Sequence, residues 1–212
     1  MTEHTDWPAK LLACLDEHEE ASMGQAARSD YDLNLDTPRE APSKAAAVLV
    51  PLVQREAGWQ VLLTRRTQDM PTHAGQIAFP GGHVAKGETL YAAALREFEE
   101  ETGIDKTMAR PLGRFERYET ASGFNITPFV AALDTPFTAR PDPREVEAVF
   151  EVPFDFLMRV ENYQRQSLQW QGRERYFYAV PWNEHFIWGA TAGMLRALAQ
   201  RVARQSKKEA PT

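Results

Sequence analysis

Glu97, Glu100 and Glu101 are spaced i, i+3, i+4 within the run GHVAKGETLYAAALREFEEETGI, which extends from Gly82 to Ile104. On an α-helix this spacing puts three carboxylates on one face. Like charges so placed repel and slightly destabilise a bare helix. A solvated acidic face is one reading and a cation site is the other. Tyr91, Leu95, Phe98 and Thr102 fall on a different face, which can pack on a core, and Glu99 points away from the other three acids. A helix anchored on one side, with three carboxylates and Arg96 presented on another, suits a hard divalent cation. Mg²⁺ prefers oxygen ligands and is held by a few carboxylates together with substrate phosphates. The chemistry such a face serves is metal-assisted attack on a phosphoanhydride.

The flanking residues position this face. Thr89 is the expected N-cap and Gly103 the expected C′ residue of a helix over about Leu90 to Thr102. Upstream, Phe79-Pro80-Gly81-Gly82 reads as a tight turn whose backbone carbonyls can approach a ligand or ion closely.

Gly82, five residues, Glu88, seven residues, Arg96-Glu97, the bulky apolar Phe98, one residue, Glu100-Glu101, one residue, Gly103 and the apolar Ile104 form one spaced set. This set resembles the whole Nudix box; Phe98 stands where a branched aliphatic is usual. The resemblance implies a hydrolase of nucleoside diphosphates linked to another group, acting with Mg²⁺ or Mn²⁺. Leu62-Leu63-Thr64, Arg66, Gly75 and Phe79-Pro80-Gly81-Gly82 resemble the extra motif of the coenzyme A pyrophosphatase branch of Nudix hydrolases. Thr67 departs from that branch's usual Ser or Ala, and Pro71 from its usual Arg. Pro141-Asp142-Pro143-Arg144-Glu145-Val146 and Ile187-Trp188-Gly189-Ala190-Thr191-Ala192 also look like that branch, so the resemblance spans roughly residues 45 to 195. It implies hydrolysis of coenzyme A or its thioesters to 3′,5′-ADP and 4′-phosphopantetheine or its acyl form. Pro71 keeps open another nucleoside diphosphate derivative, such as ADP-ribose or NADH. A non-catalytic nucleotide-binding Nudix domain is the third reading.

On this reading Glu97, Glu100 and Glu101 are the metal-binding set, with the Gly81 or Gly82 carbonyl as an added ligand. One helix glutamate takes a proton from water instead, and Glu97 is the first choice for that role. Arg96 orients a carboxylate, Glu88 or Glu97, through a bidentate clamp, which makes Glu88 a supporting residue rather than a ligand. Glu119, Glu145, Glu147 and Glu151 lie in segments able to approach the site, and each is either a further ligand or base or a surface acid. Arg65 and Arg66 point to opposite faces of a strand; Arg66 is either a phosphate contact or an ordinary ion-pair partner. His73 either binds substrate or packs its loop. Trp188, Phe186 and Tyr178 either stack on a base or belong to the core.

Composition sets the bounds. The 212 residues suit one main domain with a real core, and 43% hydrophobic with 25% charged residues is a globular balance. A net charge of −6, from 24 basic and 30 acidic residues, gives no electrostatic case for nucleic acid as a partner. One cysteine, Cys14, rules out an intrachain disulfide and fits a reducing compartment. The start, MTEHTDWPAKLL, has no basic, apolar signal pattern, and no stretch reaches membrane-span length. The expectation is a soluble cytoplasmic protein without a membrane partner.

Along the chain, a helix is expected from Trp7 to about Glu20, with Leu11, Leu12 and Leu15 on one side, and a connector over 21–43. Residues 1–43 thus precede a catalytic domain over 44–205, followed by a basic, frayed tail over 206–212. Ala45–Val53 and Trp59–Thr64 read as a hairpin turning at Glu56-Ala57-Gly58, with Pro51 limiting the pairing of its first strand. Gln76–Phe79, Arg110–Tyr118, Asn125–Leu133 and Val146–Val152 read as strands, with a turn at Thr120-Ala121-Ser122-Gly123. Phe154–Val160 reads as a short helix. Gln164–Trp170 and Arg175–Val180 form a second hairpin at Gln171-Gly172, and a last helix runs from Ile187 to Arg204. Strands with helices on both sides give an α/β class, and the resemblance makes it a Nudix-type α/β/α sandwich with a mixed β-sheet.

Overall fold

The computed structural model describes residues 7–17, 27–39, 44–170 and 172–209. The first helix, α1 (Trp7–Leu12), is shorter than its apolar spacing suggests. Leu11 is fully buried, but Leu12 is 56% exposed. The chain turns after Leu12, and Asp16 bridges to Arg114 instead of continuing the helix. The rest of the expected helix, His18 to Glu20, lies outside the described residues, as do 21–26 and 40–43 of the connector. The described part of the connector carries structure of its own: β1 (Arg28–Ser29) and a 3₁₀ turn over Asp30–Leu33. Asp30 is half-buried and accepts from Tyr118 Oη at 2.8 Å and the Ala121 N–H at 2.9 Å, which ties this segment to the domain.

The next elements are β2 (Lys44–Arg55), β3 (Gly58–Arg66), β4 (Ile77–Ala78), β5 (Gly81–His83) and α2 (Leu90–Thr102). Then follow β6 (Ala109–Arg114), β7 (Tyr118–Glu119), β8 (Phe124–Leu133), β9 (Val146–Pro153) and α3 (Phe154–Leu157). The chain closes with β10 (Gln164–Trp170), β11 (Arg173–Trp182), β12 (His185–Trp188) and α4 (Gly189–Glu209). Gln171, in the second hairpin's turn, lies outside the described residues.

Several expectations are corrected. The stretch from Arg110 to Tyr118 is two strands, because Phe115 turns fully into the core between them. Ile187 and Trp188 are not the start of the last helix but strand residues of β12, paired with Val180 and Ala179. Gly189, with φ 66°, makes the bend into α4. That helix continues past Arg204 through Lys207-Lys208, the expected frayed end, to Glu209. The helix after Pro153 stops at Leu157. Gly81-Gly82 belongs to a short strand rather than to a tight turn.

Among the described residues, β1 to β9 form one mixed sheet and β10, β11 and β12 a second, antiparallel one. β2 is its hub. It runs parallel to β8 over its first ten residues, while its other edge is divided: β5 pairs with 46–48 and β3 with 52–55. Pro51 falls in the step between those two pairings. β2 is apolar nearly throughout because both of its faces are buried. Ala47, Leu49 and Val53 join Leu90, Ala93, Ala94 and Phe98 of α2 in one core. Val48, Val50 and Leu52 join residues of α1, α3 and α4 in a second core on the other side. Two layers of helix therefore flank the sheet, and no helix among the described residues is long and apolar enough to cross a membrane.

Candidate active site

α2 begins and ends where its caps dictate. Thr89 Oγ1 accepts from the Ala92 N–H at 3.2 Å, and Gly103, at φ 65°, donates its N–H to Glu99 O at 2.8 Å. A Cβ at Gly103 would also stand 2.2 Å from the Arg140 carbonyl, so glycine is required there twice over. Phe98, aromatic where an aliphatic is usual, is fully buried against the sheet. Glu99 turns away and pairs with Lys106 at 2.9 Å.

The three acids do not share one degree of exposure. The Glu100 side chain is 59% exposed, while Glu101 is only 4% exposed. Tyr91 and Leu95 are only partly buried. The helix is rolled relative to the sequence expectation, with Glu101 toward the sheet. Burial pushes the Glu101 carboxyl up to about 8; Arg66 and the Gly81 backbone N–H act against that rise, while Glu97 and Glu145 add to it. The Arg66 guanidinium is 3.8 Å from Glu101, and its Nε is buried without a hydrogen-bond partner among the described residues.

Arg96 ties the exposed side together. Its Nε donates to Glu88 Oε1 at 3.0 Å and its Nη2 to Glu88 Oε2 at 3.1 Å. Nη2 also reaches the His83 carbonyl at 3.0 Å. Nη1 donates to Glu97 at 2.7 Å and Glu100 at 3.1 Å. Glu88 further accepts from the Ala85 N–H at 3.0 Å. The Arg96 guanidinium and that N–H hold the Glu88 carboxyl below the usual carboxylate range.

β5 delivers the two glycines by its pairing with β2, Val48 opposite Gly81 and Ala47 opposite Gly82. A Cβ on Gly81 would lie 2.5 Å from the Ala47 carbonyl oxygen and 2.6 Å from Val48 Cα. A Cβ on Gly82 would lie 2.6 Å from the Glu97 carboxyl group. Their absence of side chain is thus a matter of close approach.

The remaining expected residues separate clearly. Glu119 is buried and paired with Arg39, and Glu151 pairs with Arg55 at 2.5 Å. Glu145 raises the Glu101 pKa by charge repulsion; its carbonyl accepts from the Thr67 N–H at 3.0 Å. His73 sits in an exposed loop at φ 59° and meets Gln76 Oε1 at 3.0 Å, with no contact to the acids of α2. Arg65 points the other way from Arg66, to His185 Nδ1 at 2.8 Å. Tyr178 lies under the Arg196 guanidinium at 4.1 Å, Trp188 packs edge-on against Phe177 at 5.1 Å, and Phe186 is exposed. Thr191, in a segment that resembles the coenzyme A branch, donates its hydroxyl to Ile77 O at 3.1 Å. Sequence reasoning missed the His83 carbonyl, a contact that depends on tertiary placement.

As arranged, Arg96 occupies Glu97 and Glu100, and among the described residues no three acidic, histidine or cysteine side chains converge to hold a metal. The donor set nonetheless suits a hard divalent cation. It offers carboxylate oxygens beside two glycine backbones, and the charge of the buried Glu101 is met by a long ion pair to Arg66 and by the Gly81 N–H.

The NUDIX domain family matches residues 43–178. The chain belongs to the Nudix family. It is similar to an uncharacterized Nudix hydrolase, NudL, of Enterobacter sp. (strain 638), with 37% identity over 160 residues, 75% of this chain and 83% of that protein. The NudL Nudix hydrolase of Cronobacter sakazakii, also uncharacterized, is 39% identical over 163 residues, covering 75% and 83% of the two chains. Among solved structures, the Nudix hydrolase RenU of M. smegmatis shares the fold, with a TM-score of 0.52 and 18% identity over 90% of this chain and 98% of that one. Nudix hydrolases act on nucleoside diphosphate derivatives and generally use divalent ions such as Mg²⁺ or Mn²⁺.

Proposed function

We propose that this Nudix protein hydrolyses the pyrophosphate bond of coenzyme A or its thioesters, releasing 3′,5′-ADP and 4′-phosphopantetheine or its acyl form. One observation carries the reading: the separate segments resembling the coenzyme A branch meet around the box. Arg66 reaches Glu101 at 3.8 Å; Thr67 donates its N–H to Glu145 O at 3.0 Å and its hydroxyl to Arg144 O at 3.2 Å; and Thr191 bonds Ile77 just before the glycines.

Glu97, Glu100 and Glu101, with a backbone carbonyl at Gly81 or Gly82, would hold Mg²⁺ or Mn²⁺. When bound, such an ion would offset charge on the diphosphate oxygens and lower the pKa of a water. Arg96 and Glu88 set the orientation of Glu97 and Glu100. Arg66 meets an anionic oxygen of the diphosphate, and His73 adds a contact from the following loop. A carboxylate oxygen of Glu97 takes the proton of the attacking water.

Incubation with Mg²⁺ and coenzyme A, with products resolved by chromatography, tests this reading. The expected products are 3′,5′-ADP and 4′-phosphopantetheine. Turnover of ADP-ribose or NADH without turnover of coenzyme A rejects the substrate and keeps the chemistry. Pro71 favours that second reading, because it removes a cation from the loop that follows Arg66.

A further inference from the structure

The C-terminal half of α4 carries charge that the acids of α2 do not use. Gln200, Ala203, Arg204 and Lys207 are spaced i, i+3, i+4, i+7 and share one face of that helix. Across from them stand Arg28 of β1 and Val160, in the 3₁₀ turn that follows α3. These six residues line an open cleft of about 310 Å³. α4 packs on the face of the sheet opposite α2, so the sheet separates this cleft from Glu97, Glu100 and Glu101.

Among the described residues the lining holds three cations and no carboxylate. Arg28 Nη2 donates to Gln200 Oε1 at 3.3 Å, which braces the guanidinium across the gap and leaves the Gln200 amide nitrogen as a further donor. Arg204 meets Glu116 only at 3.6 Å, and Arg201 shares that carboxylate at 3.5 Å. Lys207 is exposed and has no ion pair among the described residues. The wall behind is positive too. Arg117, whose carbonyl accepts from the Arg28 N–H at 3.3 Å, is buried, and burial and the charge of Arg114 push its guanidinium pKa down. Like charges gathered from two elements repel, and an anion between them removes that repulsion. A phosphoryl group suits the cleft, because its oxygens accept from a guanidinium fork and from an ammonium at once. Val160 and Ala203 offer an apolar patch for a small organic body. We propose that this cleft is an anion site for a small phosphorylated ligand, a phosphate monoester or a diphosphate, separate from the acids of α2.

The test uses inorganic pyrophosphate, titrated by calorimetry into the full chain dialysed free of divalent metal, with backbone amide shifts followed by NMR in isotope-labelled protein. Pyrophosphate is expected to bind and to shift the amides of Gln200, Ala203 and Arg204. Lys207→Glu and Arg204→Gln, both at exposed positions, are each expected to weaken it about tenfold, while Arg66→Ala leaves that affinity unchanged. A protein that binds no pyrophosphate overturns the site, as does equal affinity in wild type and both variants. Binding that shifts only α2 amides and is lost in Arg66→Ala overturns it as well. Capture of the protein by vesicles of phosphatidylserine in phosphatidylcholine, without pyrophosphate binding, would assign these cations to a membrane surface and reject the small ligand.

Discussion

Arg96 grips Glu88 through both carboxylate oxygens, at 3.0 and 3.1 Å, and with its remaining nitrogen spans Glu97 and Glu100. One guanidinium thus sets three acids at once, and a lysine ammonium cannot reproduce its planar fork. Arg96→Lys is expected to lower kcat/KM about 10–100-fold and to weaken Mn²⁺ binding in parallel. Steady-state kinetics and Mn²⁺ titration by electron paramagnetic resonance check this; unchanged values in both would remove Arg96 from the positioning role.

The same clamp has a pH signature. The folded-state pKa of Glu88 lies below its reference value of 4.5. Its carboxylate therefore adds stability above that value, and the contribution fades as pH falls through the lowered folded pKa. Urea unfolding of metal-free protein should show wild type more stable than Glu88→Gln at neutral pH. The gap should close as pH falls below 4.5 and through the lowered folded pKa. A gap that persists unchanged in acid would contradict the assignment.

Gly81 and Gly82 are adjacent, yet their alanine variants should fail differently. At Gly81 a Cβ meets backbone of β2 at 2.5 and 2.6 Å, which cannot move aside without disturbing the sheet. Gly81→Ala is expected to cost about 1–3 kcal/mol of stability. At Gly82 the obstacle is the end of the Glu97 side chain, which can swing. Gly82→Ala should unfold within about 1 kcal/mol of wild type while losing activity by about a hundredfold, because Glu97 is displaced. Thermal denaturation beside product assays separates the two.

Glu100 is the most exposed of the three acids, so its substitution tests chemistry with little effect on packing. Glu100→Gln is expected to lower turnover about a hundredfold or more at unchanged melting temperature. Chelation should abolish wild-type activity and added Mg²⁺ or Mn²⁺ restore it. Full turnover in a chelator would end the metal-dependent reading.

Much of the frame was legible in local chemistry. Thr89 and Gly103 announce the ends of α2, and the first hairpin follows from apolar runs broken at turn residues. The opposed directions of Arg65 and Arg66 match the strand period, although the pairing of β3 with β9 shifts register between them. The burial of Glu101 was not legible, because a helical wheel fixes angles between residues but not which arc the sheet covers. β5 was hidden too: Gly81-Gly82-His83 has no strand propensity of its own and is ordered by the open edge of β2. The ion pairs that hold Glu119 and Glu151 depended on where Arg39 and Arg55 happened to lie.

The alternation along β3 makes that strand intolerant of changes in length. Val61 and Leu63 serve one core and Leu62 the other, and the strand ends with Arg65 and Arg66 sent to opposite sides. Deleting a single residue between Trp59 and Leu63 would exchange the two arginines and invert the apolar lining above them. Homologous chains should accordingly vary in loop size around this segment, while the count of residues across it stays fixed.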